Sequence, residues 1–159
     1  MRIIGIDPGT TCTGIGIVDS DQRGECSPVF FTGFRFKSRD LSIILPDFFN
    51  RLNEILETYQ PGAAAIEDIF TGVNVKSTVK LAHLRGTAIA VLGLKDISVA
   101  AYAPRSVKKA IAGYGQADKE QLRFLVETQL GITLGKAPLD VSDALAIALC
   151  HAQHLAFGT

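Results

Sequence analysis

Hydrophobic positions change period along this chain. Ile3, Ile4 and Ile6 form a short apolar run that ends at Asp7 and is stopped by Pro8-Gly9. Such a run is too short for a helix and reads as a buried strand followed by a turn. Cys12, Ile15, Ile17 and Val18, interspersed with Gly14 and Gly16, predict a second strand over 11–19, antiparallel to the first through the 8–10 turn. Residues 29–36 predict a third, with Phe30, Phe34 and Phe36 on one face. From residue 41 the period becomes helical: Leu41, Ile44, Leu45, Phe48, Phe49, Leu52, Ile55 and Leu56 make a wide stripe over 41–59. Asp40 is the expected N-cap and Pro61-Gly62 the stop.

Beyond that point helices and strands alternate. A strand over 63–66 delivers Glu67, and a long helix is expected over 74–94. A fifth strand covers 97–102, and Pro104 opens a short helix reaching about 112. After a Gly113-Tyr114-Gly115 loop, helices are predicted over 117–130, stopped near Gly131, and over 139–155. Three strands, then helices alternating with two more, imply an α/β fold: a five-stranded mixed sheet covered by helices on both faces. No internal repeat or linker is visible, so residues 1–159 are expected to form a single domain.

Composition adds little until it is resolved along the chain. At 47% hydrophobic and 20% charged residues, this is an ordinary globule. No uncharged run reaches the roughly 20 residues that a membrane span needs. The stretch before Asp7 does not read as a signal peptide. Cys12, Cys26 and Cys150 are odd in number, widely spaced and free of any CxxC pair, which predicts a reduced, cytoplasmic chain. Net charge is zero, yet residues 71–123 hold nine lysines and arginines against three acids. A basic middle beside an acidic centre suits a polyanion bound near cations.

That acidic centre is Asp7, Glu67, Asp140 and Asp143. Asp7 and Glu67 each leave the end of a buried strand, and unpaired burial of either charge is costly. Asp140 and Asp143, three apart at the start of the last helix, share one face. Neighbouring strands lie about 4.8 Å apart, so two strand ends and a helix start are able to bring all four together. Four carboxylates at one point repel unless a cation joins them, and hard oxygen donors select Mg²⁺ or Mn²⁺. Two such ions support phosphodiester cleavage. His151 and His154 have the spacing of a ligand pair, but near the chain end they read as surface residues.

Three acidic motifs in order resemble the RuvC family of Holliday-junction resolvases, which have the ribonuclease H fold. They are Ile4-Gly-Ile-Asp7-Pro-Gly9, Ala65-Ile-Glu67-Asp-Ile-Phe70 and Asp140-Val-Ser-Asp143-Ala-Leu-Ala-Ile-Ala148. Asn74, Ser77, Lys80-Leu81, Arg85-Gly86, Arg105-Ser-Val-Lys108 and Gly113-Tyr-Gly115-Gln-Ala-Asp-Lys119 also follow the family pattern, so the likeness covers nearly the whole chain. Val141-Ser142 replaces a commoner pair of small residues. The resemblance implies a ribonuclease H-like fold and a junction endonuclease of recombination and repair. Two Mg²⁺ ions, replaceable by Mn²⁺, are then held by Asp7, Glu67, Asp140 and Asp143. Hydrolysis leaves 5′-phosphate and 3′-hydroxyl ends. It also implies a homodimer, and a branch-migration helicase complex (RuvA and RuvB) as partner.

Lys108 and Lys119 match basic residues near the family's active site, where each is able to neutralise phosphate or developing transition-state charge. Phe70, in a loop beside Thr71-Gly72, is expected to stack on or wedge between bases at the junction centre. Lys76, Lys80, Arg85, Arg105, Lys109 and Tyr114 complete the expected DNA surface, with Arg85 equally suited to supporting the fold. The helix over 74–94 is apolar on more than one face, as burial by both core and partner requires. Two other readings stay open. Gly5-Ile-Asp7-Pro-Gly-Thr10-Thr11 is similar to the phosphate hairpin of sugar kinases and actin-like ATPases, although those enzymes close two domains over a nucleotide. A ribonuclease H-fold relative acting on RNA, or a catalytically silent junction-binding module, shares the same architecture.

Overall fold

The structure is a computed structural model that describes residues 1–69 and 75–158. β1 (Arg2–Asp7) and β2 (Cys12–Ser20) form the expected antiparallel hairpin, from Arg2 opposite Asp19 to Asp7 opposite Gly14. β3 (Cys26–Arg35) continues the meander on the far side of β2. On the other edge of β1 lies β4 (Ala63–Glu67), parallel to it, with Ile6 opposite Ile66. β5 (Val99–Tyr102) extends the sheet in parallel, with Glu67 opposite Tyr102. The order is β3-β2-β1-β4-β5, a mixed sheet as the sequence predicts.

Helices cover both faces. α1 (Leu41–Tyr59) and α2 (Val75–Gly93) pack Phe48, Leu52, Leu84 and Ala88 onto Ile4, Ile6, Ile15 and Ile66. α3 (Pro104–Ala112), α4 (Lys119–Leu130) and α5 (Leu139–Phe157) pack on the opposite face, against Ile3, Val18, Ala63 and Ala65. Successive side chains on a strand point to opposite faces. Ile4 and Ile6 therefore face α1 and α2, whereas Ile3, Gly5 and Asp7 face α5. In β4 the same alternation puts Ala63, Ala65 and Glu67 on the α5 side.

α5 is the central helix, buried at almost every position from Val141 to Ala152. It sits unusually close to the sheet because glycines face it. A Cβ on Gly5 would lie 2.1 Å from the Ala144 carbonyl oxygen, and one on Gly14 only 1.8 Å from that of Asp140. Gly14 is the residue paired with Asp7. The missing side chain lets the first turn of α5 settle onto the strand beside that carboxylate.

β3 starts three residues before the expected 29, and α5 runs two residues past the expected 155; two further boundaries differ for local reasons. The Ile97 N–H donates to the Leu92 carbonyl (3.1 Å), which keeps it in the turn after α2 and starts β5 at Val99. α4 begins at Lys119, not residue 117, because Asp118 caps it. The Asp118 carboxylate accepts from the Gln121 N–H (2.8 Å), and the Gln121 side chain accepts from the Asp118 N–H (3.1 Å). This reciprocal capping box satisfies donors that the helix start leaves open.

Candidate active site

β1 and β4 are neighbouring parallel strands, so their C-terminal ends lie at the same edge of the sheet. Strand parity points Asp7 and Glu67 to the same face there. The first turn of α5, seated on Gly14, adds Asp140 and Asp143. All four acids line one cleft, together with Lys108 from α3 and Lys119 from α4. The turn behind Asp7 is pinned by Thr13, whose buried hydroxyl bonds the Gly9 main chain at 3.3 Å.

The electrostatics of the cleft are those of crowded carboxylates. Asp7 is 7% exposed. Burial first, then the charges of Glu67, Asp143 and Asp140, push its carboxyl well above the usual carboxylate range. Burial and then Asp143 push Glu67 upward, and burial is the main cause that raises Asp143. Lys119 Nζ lies 3.0 Å from Asp143 Oδ2. Burial works against the Lys119 charge most strongly of any one cause, but the bond to Asp143 and the charges of Asp143, Asp7 and Asp140 together hold the ammonium above its ordinary value. The acids line the cleft without closing into a ready-made cage among the described residues. Their chemistry nonetheless fits a hard divalent cation: oxygen donors only, carrying negative charge that the lysines offset in part.

The expected DNA residues divide by location. Lys76 and Lys80 line a groove with Lys37 and Arg39 that shares Thr10 and Thr11 with the acidic cleft. Lys80 Nζ donates to the Arg39 carbonyl at 3.1 Å. Arg105 and Tyr114 border a separate recess, where the Tyr114 hydroxyl donates to Gln121 Oε1 (3.1 Å). Lys109 is exposed on α3. Arg85 instead points at the chain itself, toward the carbonyl of Glu67 and the carboxylate of Asp68. Phe70, and Asn74 with it, fall outside the described residues.

Sequence reasoning missed Arg35, which lines the acidic cleft, and Lys37 and Arg39 in the adjoining groove. The signal was present as Arg35-Phe-Lys37-Ser-Arg39, a basic run that starts at the last residue of β3. His151 is a correction: it is buried, not a surface residue, and its Nδ1 lies 2.8 Å from the Tyr102 hydroxyl. α5 remains packed on the sheet at that depth, so the side chain facing β5 is enclosed. Burial pushes its imidazole below the usual histidine value. His154 is exposed, as expected, and rests edge-on against Tyr102.

Comparison with known proteins gives a family and near neighbours. The family model described as "Crossover junction endodeoxyribonuclease RuvC" matches residues 3–151. A protein of that description from Koribacter versatilis (strain Ellin345) is 41% identical over 152 residues, 95% of this chain and 92% of its own. One from Stutzerimonas stutzeri (strain A1501) is 43% identical over 152 residues, covering 96% and 86% respectively. The structure titled "T. thermophilus RuvC in complex with Holliday junction substrate" superposes with a TM-score of 0.91 at 30% identity, over 100% of this chain and 97% of that one. A yeast mitochondrial Holliday junction resolvase, Ydc2, shares the fold at 12% identity and a TM-score of 0.72, over 97% of this chain and 78% of its own.

Proposed function

Because the chain belongs to the RuvC family of crossover junction endodeoxyribonucleases, we propose that it resolves four-way DNA junctions by divalent-metal-dependent hydrolysis. The observation that carries this reading is the convergence of Asp7, Glu67, Asp140 and Asp143, from three separate elements, in one lysine-flanked cleft. Membership of a DNA-cutting family sets aside the nucleotide-hydrolysing and RNA-cutting readings that the first hairpin and the architecture had left open.

In the proposed mechanism the four carboxylates would hold two Mg²⁺ ions, with Mn²⁺ as a substitute. Held there, the ions would supply activation of water and charge stabilisation at the leaving oxygen, and hydrolysis would leave 5′-phosphate and 3′-hydroxyl ends. The chain's own cations do the rest. Lys108 and Arg35, on the walls of the cleft, offset the charge of the scissile phosphate. Lys119 holds Asp143 while its largely exposed ammonium stays open to the backbone. The groove of Lys37, Arg39, Lys76 and Lys80 leads from the acids along one arm of the substrate. Phe70, Arg105, Lys109 and Tyr114 complete the proposed DNA surface.

Two opposed strands require two sites, which a two-fold homodimer supplies. The face of α2 supports that assembly: Val75, Val79 and Ile89 are 71%, 48% and 37% exposed on one helix. A branch-migration helicase complex, RuvA and RuvB, is the proposed partner in the cytoplasm. No described helix is long and apolar enough to cross a membrane.

The test is incubation with labelled four-way junction, linear duplex and an RNA–DNA hybrid, with Mg²⁺ or with chelator. Symmetric paired nicks confined to the junction, and absent with chelator, are expected. Asp7→Asn should abolish cutting and spare junction binding. Cutting by that variant would overturn the metal role of Asp7.

A further inference from the structure

Arg85 makes two contacts that no DNA role requires. It projects from α2 toward the end of β4 and is only 23% exposed. Its Nε–H donates to the main-chain carbonyl of Glu67 at 3.2 Å. Its Nη2 lies 3.3 Å from Asp68 Oδ1. The same Asp68 oxygen accepts from the Ile69 N–H at 3.1 Å, and the Asp68 N–H donates to the Tyr102 carbonyl at 2.8 Å. β4 ends at Glu67, so regular pairing with β1 stops at Ile66 and the Glu67 carbonyl lies past it. The guanidinium thus ties down the strand end that aims the Glu67 carboxylate. A planar fork suits this task, because one group reaches a carbonyl and a carboxylate at once.

We propose that Arg85 is a positioning residue for the metal-binding site, clamping α2 to the Glu67 end of β4 so that the Glu67 carboxylate is held toward Asp7. The assignment rests on the metal-dependent reading of the cleft. It acts through geometry: the cations that lower the proton affinity of the Glu67 carboxyl are Lys119 and Lys108, whereas Arg85 grips the main chain. Residues that orient a metal ligand cost roughly 10–100-fold in metal affinity when removed. Because α2 also carries Lys76 and Lys80, the clamp links the groove that meets DNA to the placement of a metal ligand.

The experiment measures Mn²⁺ affinity by electron paramagnetic resonance on DNA-free protein, alongside junction cutting across an Mg²⁺ titration and the melting temperature without metal. Wild type, Arg85→Gln, Arg85→Lys and Asp68→Asn are compared. Arg85→Gln should weaken Mn²⁺ binding by roughly ten-fold and shift the Mg²⁺ titration equally, with cutting restored at high Mg²⁺. Arg85→Lys, keeping the charge and one donor, should fall between it and wild type. Asp68→Asn, which leaves the Glu67 carbonyl bond intact, should stay within about two-fold of wild type. If Arg85→Gln does not fold, Arg85→Lys decides by the same Mn²⁺ measurement. Unchanged Mn²⁺ affinity in a folded Arg85 variant overturns the clamp, whatever happens to cutting. Wild-type protein that binds no Mn²⁺ overturns the metal reading itself, and the clamp falls with it.

Discussion

Gly14 offers a direct test of how the site is assembled, because its Cα faces the helix that carries two of the four acids. In Gly14→Ala the new Cβ would lie 1.8 Å from the Asp140 carbonyl oxygen, 2.3 Å from its carbonyl carbon and 3.0 Å from the Val141 nitrogen. All three are backbone atoms, so no side chain can swing aside. Ordinary contact begins at 3.4 Å, so the first turn of α5 must retreat by roughly 1.5 Å or the strand must bend by as much. Overpacking of this kind costs about 1–3 kcal/mol. At this chain length each kcal/mol lowers the melting temperature by roughly 2–4 °C. The effect on cutting should be larger in proportion, since a displacement of about 1 Å from productive geometry costs on the order of 100-fold in rate. The assay is single-turnover cleavage of a four-way junction at saturating protein, with binding followed separately by gel shift. Gly93→Ala, whose Cβ would meet nothing within 4 Å, is the control and should leave the rate unchanged. A Gly14→Ala protein that loses stability yet cuts at the wild-type rate would refute the argument that this close approach places Asp140.

Other expectations follow from charge and burial. Folding raises the proton affinity of Asp7, Glu67 and Asp143 above the unfolded values. These groups therefore subtract stability above their folded range, and that stability returns as pH falls through it toward the ordinary carboxylate range. Calorimetry of metal-free protein should show melting rise as pH is lowered from neutral into the mildly acidic range. Asp7→Asn should raise the neutral-pH melting temperature by several degrees and flatten that dependence; a lower one would contradict the repulsion argument. Tyr102→Phe removes the hydroxyl bonded to buried His151 and should cost about 1–3 kcal/mol, read by urea unfolding. Val79→Asp, on the exposed face of α2, should shift sedimentation toward monomer and weaken junction binding; an unchanged dimer would move the interface elsewhere.

The four acids were legible because each is tied to a boundary that hydrophobic period locates. Asp7 and Glu67 end apolar runs, and Asp140 and Asp143 open a helix. Their meeting was readable as far as strand adjacency allowed, and the structure adds why it is possible: the glycines of β1 and β2. Asp118 and Gln121 carry a capping-box spacing, so the start of α4 had a signal that was passed over. His151 had none. α5 is apolar on every side, and such a helix gives no phase by which to tell an inward histidine from an outward one. Arg85 was legible as a basic residue but not in direction, because its partner is a main-chain carbonyl and carries no residue-type signature.

The placement of α5 also sets when the acidic cleft can be completed. Asp7 leaves the ribosome early and Glu67 midway, but Asp140 and Asp143 arrive on the last helix of the described chain, which docks on strands made at the start. Until then Ile3, Val18, Ala63 and Ala65 lack the central helix of their core cluster, and two of the four acids are missing from the cleft. A chain stalled or cut before residue 139 thus holds the first hairpin and the basic groove without the complete acidic cleft. On the proposed reading of the acids, the order of synthesis leaves the cleft incomplete until the fold is closed.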